Sequence, residues 1–211
     1  MNDTIKKAFE WRSAVKVFDT ERKVSDSDVR TIIDSARMSP SAYGLQPFRL
    51  VEVKDVALRA KLKDDASYGQ AQVTDASHLF VVAVRTDMDE TFVDEFVART
   101  ADIRGVDIAA LKGFRDMMVG DIVSRTPENK FAWAGRQAYI ALGAMIETAA
   151  LLGIDAGPME GFNPSKVDEI LGLSEKNLHA VGYLALGYRG DDSYSKSAKV
   201  RVSYDNFVIV V

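Results

Sequence analysis

From Glu128 to Leu152 the chain runs without a proline, rich in Ala, Leu, Ile and Met, with Gly135 and Gly143 among them. Residues of that helix propensity over that length predict one long helix. The run is apolar on more than one side, and a helix without a continuous polar face belongs in the middle of a fold or at an interface between chains rather than on a surface. The rest of the fold must therefore be arranged around it.

Two other apolar runs have a different character. "HLFVVAV" (His78 to Val84) is continuous and β-branched, as a strand covered on both faces must be, and "HAVGYLALGY" (His179 to Tyr188) reads as a second buried strand. "FRLVEV" (Phe48 to Val53) alternates like a strand, and "IDAGPMEGF" reads as a short strand broken by Gly157 and Pro158. Helices are expected between them. Ile5, Ala8 and Phe9 have helical spacing over Thr4 to about Trp11. Ser25 caps a helix with Val29, Ile32, Ile33 and Ala36 on one face, ended before Pro40. Asp55 caps a short helix with Leu58 and Leu62, and Asn163 followed by Pro164 opens another that runs through Ile170. Residues 90–125 read as surface helices separated near Gly105, an excursion from the core of a single domain spanning residues 1–211. The final run "NFVIVV" reads as a strand that needs a sheet to join, in the same chain or in a second subunit.

Composition removes several classes of function. The chain has 211 residues, 47% of them apolar, which is enough for a substantial core. Its formal charge is -4 and its 27 basic residues are spread along it, so there is no footprint of a nucleic-acid binder. With no cysteine, disulfides, thiolate catalysis and Cys-ligated metals are excluded, and redox chemistry would have to come from a bound cofactor. The charged "MNDTIKKAFEW" start does not resemble a signal peptide, and no apolar run approaches the ~18 residues of a membrane span. A soluble cytoplasmic protein is the expectation. Rossmann, P-loop and nucleophile-elbow motifs are absent, and His78 and His179 flank apolar strands as structural histidines do, leaving no metal site.

Four stretches remain that could carry chemistry. "WRSAVKVFD" sets Arg12, Ser13 and Lys16 at the end of the first helix, and "SAKVRVS" sets Lys199 and Arg201 two residues apart. A phosphate wants a guanidinium fork, an ammonium and a hydroxyl converging on it. Taken separately, each cluster reads first as a solvated surface. "GPMEGF" could let backbone pass close to a flat ligand, or form a simple turn before the Asn163-capped helix. "SPSAYGLQPF" (Ser39 to Phe48) joins helix to strand and could equally face a ligand.

These stretches, with "YGQAQVTDASH" and "RQAYIALGAMIETAALLGIDAGPMEGF", resemble the FMN-dependent nitroreductase family, in its branch of dimeric NAD(P)H nitroreductases and flavin reductases, over essentially the whole chain and in family order. The resemblance implies an α+β fold with a central mixed sheet flanked by helices. It also implies an intertwined homodimer with an exchanged C-terminal strand and FMN sites at the subunit interface. Carried over by position, Arg12, Ser13, Ala14, Lys199 and Arg201 would surround the FMN phosphate and ribityl chain, with Lys16, Gly69 and Gln72 at the pyrimidine edge of the ring. A fixed cation there stabilises the charge that two-electron reduction places on the ring. Pro158, Met159, Glu160 and Gly161 would pack on one ring face and offer a backbone N–H to flavin N5; Pro40, Ser41 and Ala42 would come from the other subunit, and Gln137 from the interface helix. Tyr43, Tyr68 and Phe114 would line the open face where NAD(P)H and then an electron-poor acceptor (a nitroaromatic, a quinone, a related molecule) stack in turn. Relatives often place Ser where this chain has Ala14, Asn where it has Gly69, and a smaller residue than Tyr43. The alternative function is an FMN-binding store or sensor without appreciable turnover.

Overall fold

Five of the helices start where a side chain satisfies a free N–H group. In a computed structural model, which describes residues 2–211, the chain opens with α1 (Asn2–Trp11) and α2 (Asp26–Met38). Ser25 accepts from the Asp28 amide at 3.2 Å to cap α2. β1 (Phe48–Glu52), α3 (Val56–Lys61), α4 (Gln72–Asp75) and β2 (His78–Arg85) follow. Asp55 caps α3 by accepting from the Leu58 amide at 2.8 Å. The helical excursion begins with α5 (Glu90–Arg104), capped by Asp89 and ended by Gly105 in the left-handed conformation at φ 63°. It continues through α6 (Lys112–Met118). The long helix α7 (Pro127–Leu151) is capped by Thr126 and has Pro127 in its first turn. Then come β3 (Asp155–Met159), α8 (Pro164–Leu171) capped by Asn163, β4 (Leu178–Gly187) and the single turn α9 (Tyr204–Phe207).

The sheet order is β1-β2-β4-β3, and every ladder is antiparallel. The fold is α+β as expected, but the expected mixed sheet is not what one chain forms: its parallel pairing is the isolated bridge between Ala14 and Ala156. The two central strands are buried on both faces. Phe80, Val82 and Val84 of β2 join a core with α2, α5 and α7, while Leu79, Val81 and Ala83 face a second core with Val15, Phe18 and Val167. That arrangement is why "HLFVVAV" shows no alternation.

Two other expectations are corrected. β3 runs unbroken through Gly157 and Pro158. It is an edge strand, so the missing Pro158 N–H costs no ladder bond, and a Cβ at Gly157 would stand 3.0 Å from the Val15 carbonyl, close enough that the neighbouring backbone would have to shift. The terminal "NFVIVV" is not a strand of this chain's sheet: after α9 the backbone is extended at Val208 but unpaired, and Ile209 and Val210 are 85% and 90% exposed. Such a segment has no apolar surface of its own to cover it.

Helix α7 buries Trp133, Ala134, Ala138, Ala141, Leu142, Met145 and Ala149 in the first core, while Tyr139, Ile140 and Leu151 are exposed, Leu151 beside exposed Ile5 and Phe9 of α1. Its apolar residues are thus divided between a core and an uncovered face.

Candidate functional site

The basic residues of the two chain ends meet. Beyond α1 the segment Ser13–Lys16 crosses to β3 through the Ala14–Ala156 bridge, and the buried carboxylate of Asp192 ties it to the C-terminal loop. Asp192 accepts from the Lys16 amide at 2.9 Å and from the Tyr194 amide at 3.0 Å. A second anchor is Arg189, which grips buried Asp155 through both nitrogens and lies 4.4 Å over the Trp11 ring. Together they bring Arg12, Ser13 and Ala14 against Tyr194, Ser197, Ala198, Lys199 and Arg201 around a cavity of about 410 Å³.

The electrostatics of this cavity are unbalanced. Arg12 Nε is buried and, among the described residues, is the one buried side-chain polar atom with no hydrogen-bond partner. Burial, and then the charge of Arg201, pushes the Arg12 guanidinium below its ordinary pKa; burial, Arg12 and Arg201 push the Lys199 ammonium down as well. Lys199 donates to the Phe9 carbonyl at 2.8 Å and to that of Glu10, capping the negative end of α1. Arg201 reaches only the carbonyl of Val200, at 2.7 Å. No carboxylate of the described residues bonds to any of the three. A multivalent anion would relieve the repulsion and supply the missing acceptor for Arg12.

The turn after β3 carries the next expected site residues. Met159 is buried, and Glu160 accepts from the Tyr139 hydroxyl at 2.5 Å, an interaction that joins burial in raising the Tyr139 pKa. Gln70 donates to the Gly161 carbonyl at 2.5 Å and to that of Ser67 at 3.1 Å. Those bonds fasten the Tyr68–Gly69 loop to the turn. Gln72 is buried in α4 just beyond, whereas Lys16 is exposed and Tyr68 is 75% exposed with φ 53°.

A second group of expected site residues gathers elsewhere. The Ala42 amide donates to Gln137 Oε1 at 2.8 Å, and Ser41 Oγ accepts from the Gln46 amide at 3.1 Å. Tyr43, held at φ 60°, donates its hydroxyl to Asp121 at 2.9 Å, and Asp121 pairs with Arg125 at 2.8 Å. Its ring meets Phe114 edge-on at 6.2 Å. Pro40 is exposed at the head of this turn.

Gln137 and Tyr139 are two residues apart on α7, hence about 200° apart around its axis. The Ala42–Tyr43–Phe114 group therefore lies on one side of the helix and the Glu160 turn on the other. One chain holds two halves of the expected constellation, and does not bring Tyr68 together with Tyr43 and Phe114.

The two histidines are occupied locally. His179 Nδ1 lies 2.5 Å from Asp168 with Phe131 edge-on, and His78 Nδ1 lies 3.0 Å from Ser77 Oγ. Sequence reasoning missed Asp155, Arg189 and Asp192, which position the basic cluster, and Tyr139, which holds Glu160. Only "GYRGDDSYS", a polar loop with adjacent aspartates, hinted at the first set.

Comparison with known proteins agrees over nearly the whole chain. The Nitroreductase family model matches residues 9–188. A Staphylococcus aureus protein named "Putative NAD(P)H nitroreductase" is 35% identical over 215 aligned residues, spanning 99% of this chain and 96% of that protein. A Staphylococcus haemolyticus protein of the same name is 36% identical over 205, spanning 93% of each. Among solved structures, an Exiguobacterium sibiricum protein described as a "putative nitroreductase in complex with FMN" superposes with a TM-score of 0.83 at 18% identity, covering 98% of this chain and 97% of that one. A Streptococcus pneumoniae nitroreductase family protein also gives 0.83, at 22% identity, with 98% and 99% covered. At such identities the superpositions speak for the fold, while the family match and the two staphylococcal relatives, a third identical along almost their full lengths, establish that this chain belongs to the nitroreductase family.

Proposed function

We propose that the protein is an FMN-dependent NAD(P)H oxidoreductase of electron-poor small molecules, nitroaromatics and quinones among them, working as a homodimer in the cytoplasm with each chain a single domain. No helix among the described residues is long and apolar enough to cross a membrane. The observation that carries the reading is the buried, unpartnered Arg12 Nε among Lys199 and Arg201, a cation cluster that lacks an anion of its own.

The residues present fit FMN. Arg12, Lys199 and Arg201 would hold its phosphate, with Ser13 adding a hydroxyl; Lys16, Gly69 and Gln72 would border the ring edge, and Pro158–Gly161 would pack on its face. When bound, FMN supplies a two-electron relay from NAD(P)H to the acceptor. The chain's part is to bind and orient. The Gln70 and Tyr139 bonds keep the Glu160–Gly161 turn rigid, so that a backbone N–H can be presented in a fixed direction. Tyr43 and Phe114, mutually edge-on, offer two aromatic rings at an angle, so that a flat ligand would stack on the face of one against the edge of the other.

The division of the site across α7 favours the dimer. A second copy laid on the exposed face of α1 and α7 would bring its own Ala42–Tyr43–Phe114 group to the cation cluster of the first, and its sheet would give the extended Val208–Val211 segment a place to pair. Light scattering should return a dimer. The purified protein should take up FMN stoichiometrically and bleach anaerobically with a nicotinamide; FMN uptake without such reduction would favour the store or sensor reading, and no uptake would refute both. Lys16→Ala and Arg201→Ala should each weaken FMN retention.

A further inference from the structure

Between α5 and the Tyr43 turn lies a second cleft, of about 290 Å³, lined by Tyr43, Gln46, Phe96, Arg99, Thr100 and Arg104. Its charge is unlike that of its surroundings. Nearby, Arg85 is neutralised by Asp87 at 2.5 Å, Arg115 by Glu90 at 2.8 Å, and Arg125 by Asp121 at 2.8 Å. Arg99 and Arg104 bond to no carboxylate among the described residues. Behind them Arg49 spends its donors on the carbonyls of Phe48, at 2.7 Å, and Gln46, at 3.2 Å, and burial together with the charges of Arg85 and Arg99 holds its pKa below the ordinary value. The cleft therefore has two free guanidinium groups and a third close behind.

Its other walls suit an aromatic ligand. Phe96 stacks under the Arg99 guanidinium at 5.6 Å, which orients that fork over an apolar floor. Tyr43 and Gln46 hold positive φ, at 60° and 47°, a conformation that costs free energy in residues with a side chain and is retained here by the Gln46–Ser41 and Tyr43–Asp121 bonds. Tyr43 is shared: it lines this cleft and also meets Phe114 on the proposed stacking surface. A ligand stacked there at one end can reach the two arginines with the other.

We propose that this cleft binds the 2′-phosphoadenosine end of NADPH, Arg99 and Arg104 gripping the 2′-phosphate dianion, so that the protein prefers NADPH over NADH. The inference rests on the nicotinamide reading of the stacking surface. A phosphate monoester matches two forks that have no counter-ion, while NADH offers only a hydroxyl at that position.

The test uses the FMN-loaded protein with Arg99→Gln and Arg104→Gln. The wild type should show the higher kcat/KM with NADPH, and each substitution should lower the NADPH-to-NADH ratio of kcat/KM by roughly 10-fold or more, the loss expected for a hydrogen bond to a charged group. Calorimetry should show 2′,5′-ADP binding more tightly than 5′-AMP, with the difference erased in both variants. A ratio unmoved by either substitution, or no discrimination between 2′,5′-ADP and 5′-AMP, would overturn the proposal. Failure of both nicotinamides to reduce the flavin would refute the oxidoreductase reading, and 2′,5′-ADP discrimination lost in the variants would still uphold the cleft.

Discussion

Replacing Arg12 by Met should stabilise the flavin-free protein while crippling its hold on FMN. The Arg12 stem is partly buried, Nε has no acceptor, and Arg201 and Lys199 crowd it with like charge. A buried donor without a partner costs about 1–3 kcal/mol. Met keeps an unbranched stem of similar reach, so repacking should return less than about 1.5 kcal/mol of that gain. The net expectation is a flavin-free variant more stable by about 1 kcal/mol, or roughly 2–4 °C in Tm for a chain of this size. Against FMN the sign reverses. Loss of a charge-assisted fork to the phosphate should cost roughly 2–3 kcal/mol, raising Kd about 30- to 150-fold. Thermal melts with and without FMN, beside a fluorescence titration, read both numbers. The reasoning is refuted if Arg12→Met lowers the Tm of the flavin-free protein and leaves the titration unchanged.

Three further perturbations probe the scaffold. Gly157→Ala places a Cβ 3.0 Å from the Val15 carbonyl, so it should destabilise by about 1–3 kcal/mol in urea melts and weaken FMN binding by displacing the Ser13–Lys16 segment. Asp192→Asn leaves one of two amide donors, from Lys16 or Tyr194, facing an NH2 group; denaturation should show a loss of about 1–3 kcal/mol, and the FMN titration should show a higher Kd. His78 is depressed mainly by burial, which outweighs the attraction of Glu52. Its unfolded form titrates near pH 6.5. Above that value both states are neutral, and as pH falls below it the unfolded chain binds the proton first, so stability declines toward the native pKa. His78→Gln should flatten that part of the pH-stability curve, and an unchanged slope would dismiss the residue as its source.

Much of this architecture was legible because local chemistry and tertiary context agree. Ser25, Asp55 and Asn163 cap the helices they were expected to cap, and the two continuous apolar strands occupy the centre of the sheet. Legibility failed where an element depends on a distant neighbour. Gly157 and Pro158 looked like breakers, but β3 is an edge strand and Val15 needs the space that glycine leaves. "NFVIVV" has strand composition without a strand partner in its own chain. For the site, Arg12 and Lys199 were legible as cations and the family resemblance implied that they converge, but what brings them together was not: Asp192 and Arg189, ordinary loop residues whose importance lies in what they bridge. The bond from Tyr43 to Asp121, far along the chain, was not legible.

The central claim is that this chain binds FMN and passes electrons through it from a nicotinamide to an electron-poor acceptor. Anaerobic stopped-flow absorbance on FMN-loaded protein tests it directly. NADPH or NADH should bleach the flavin, the nicotinamide product should leave, and a nitroarene or quinone added afterwards should restore the colour. Flavin that stays oxidised with both nicotinamides, or reduced flavin that no such acceptor reoxidises, would contradict it.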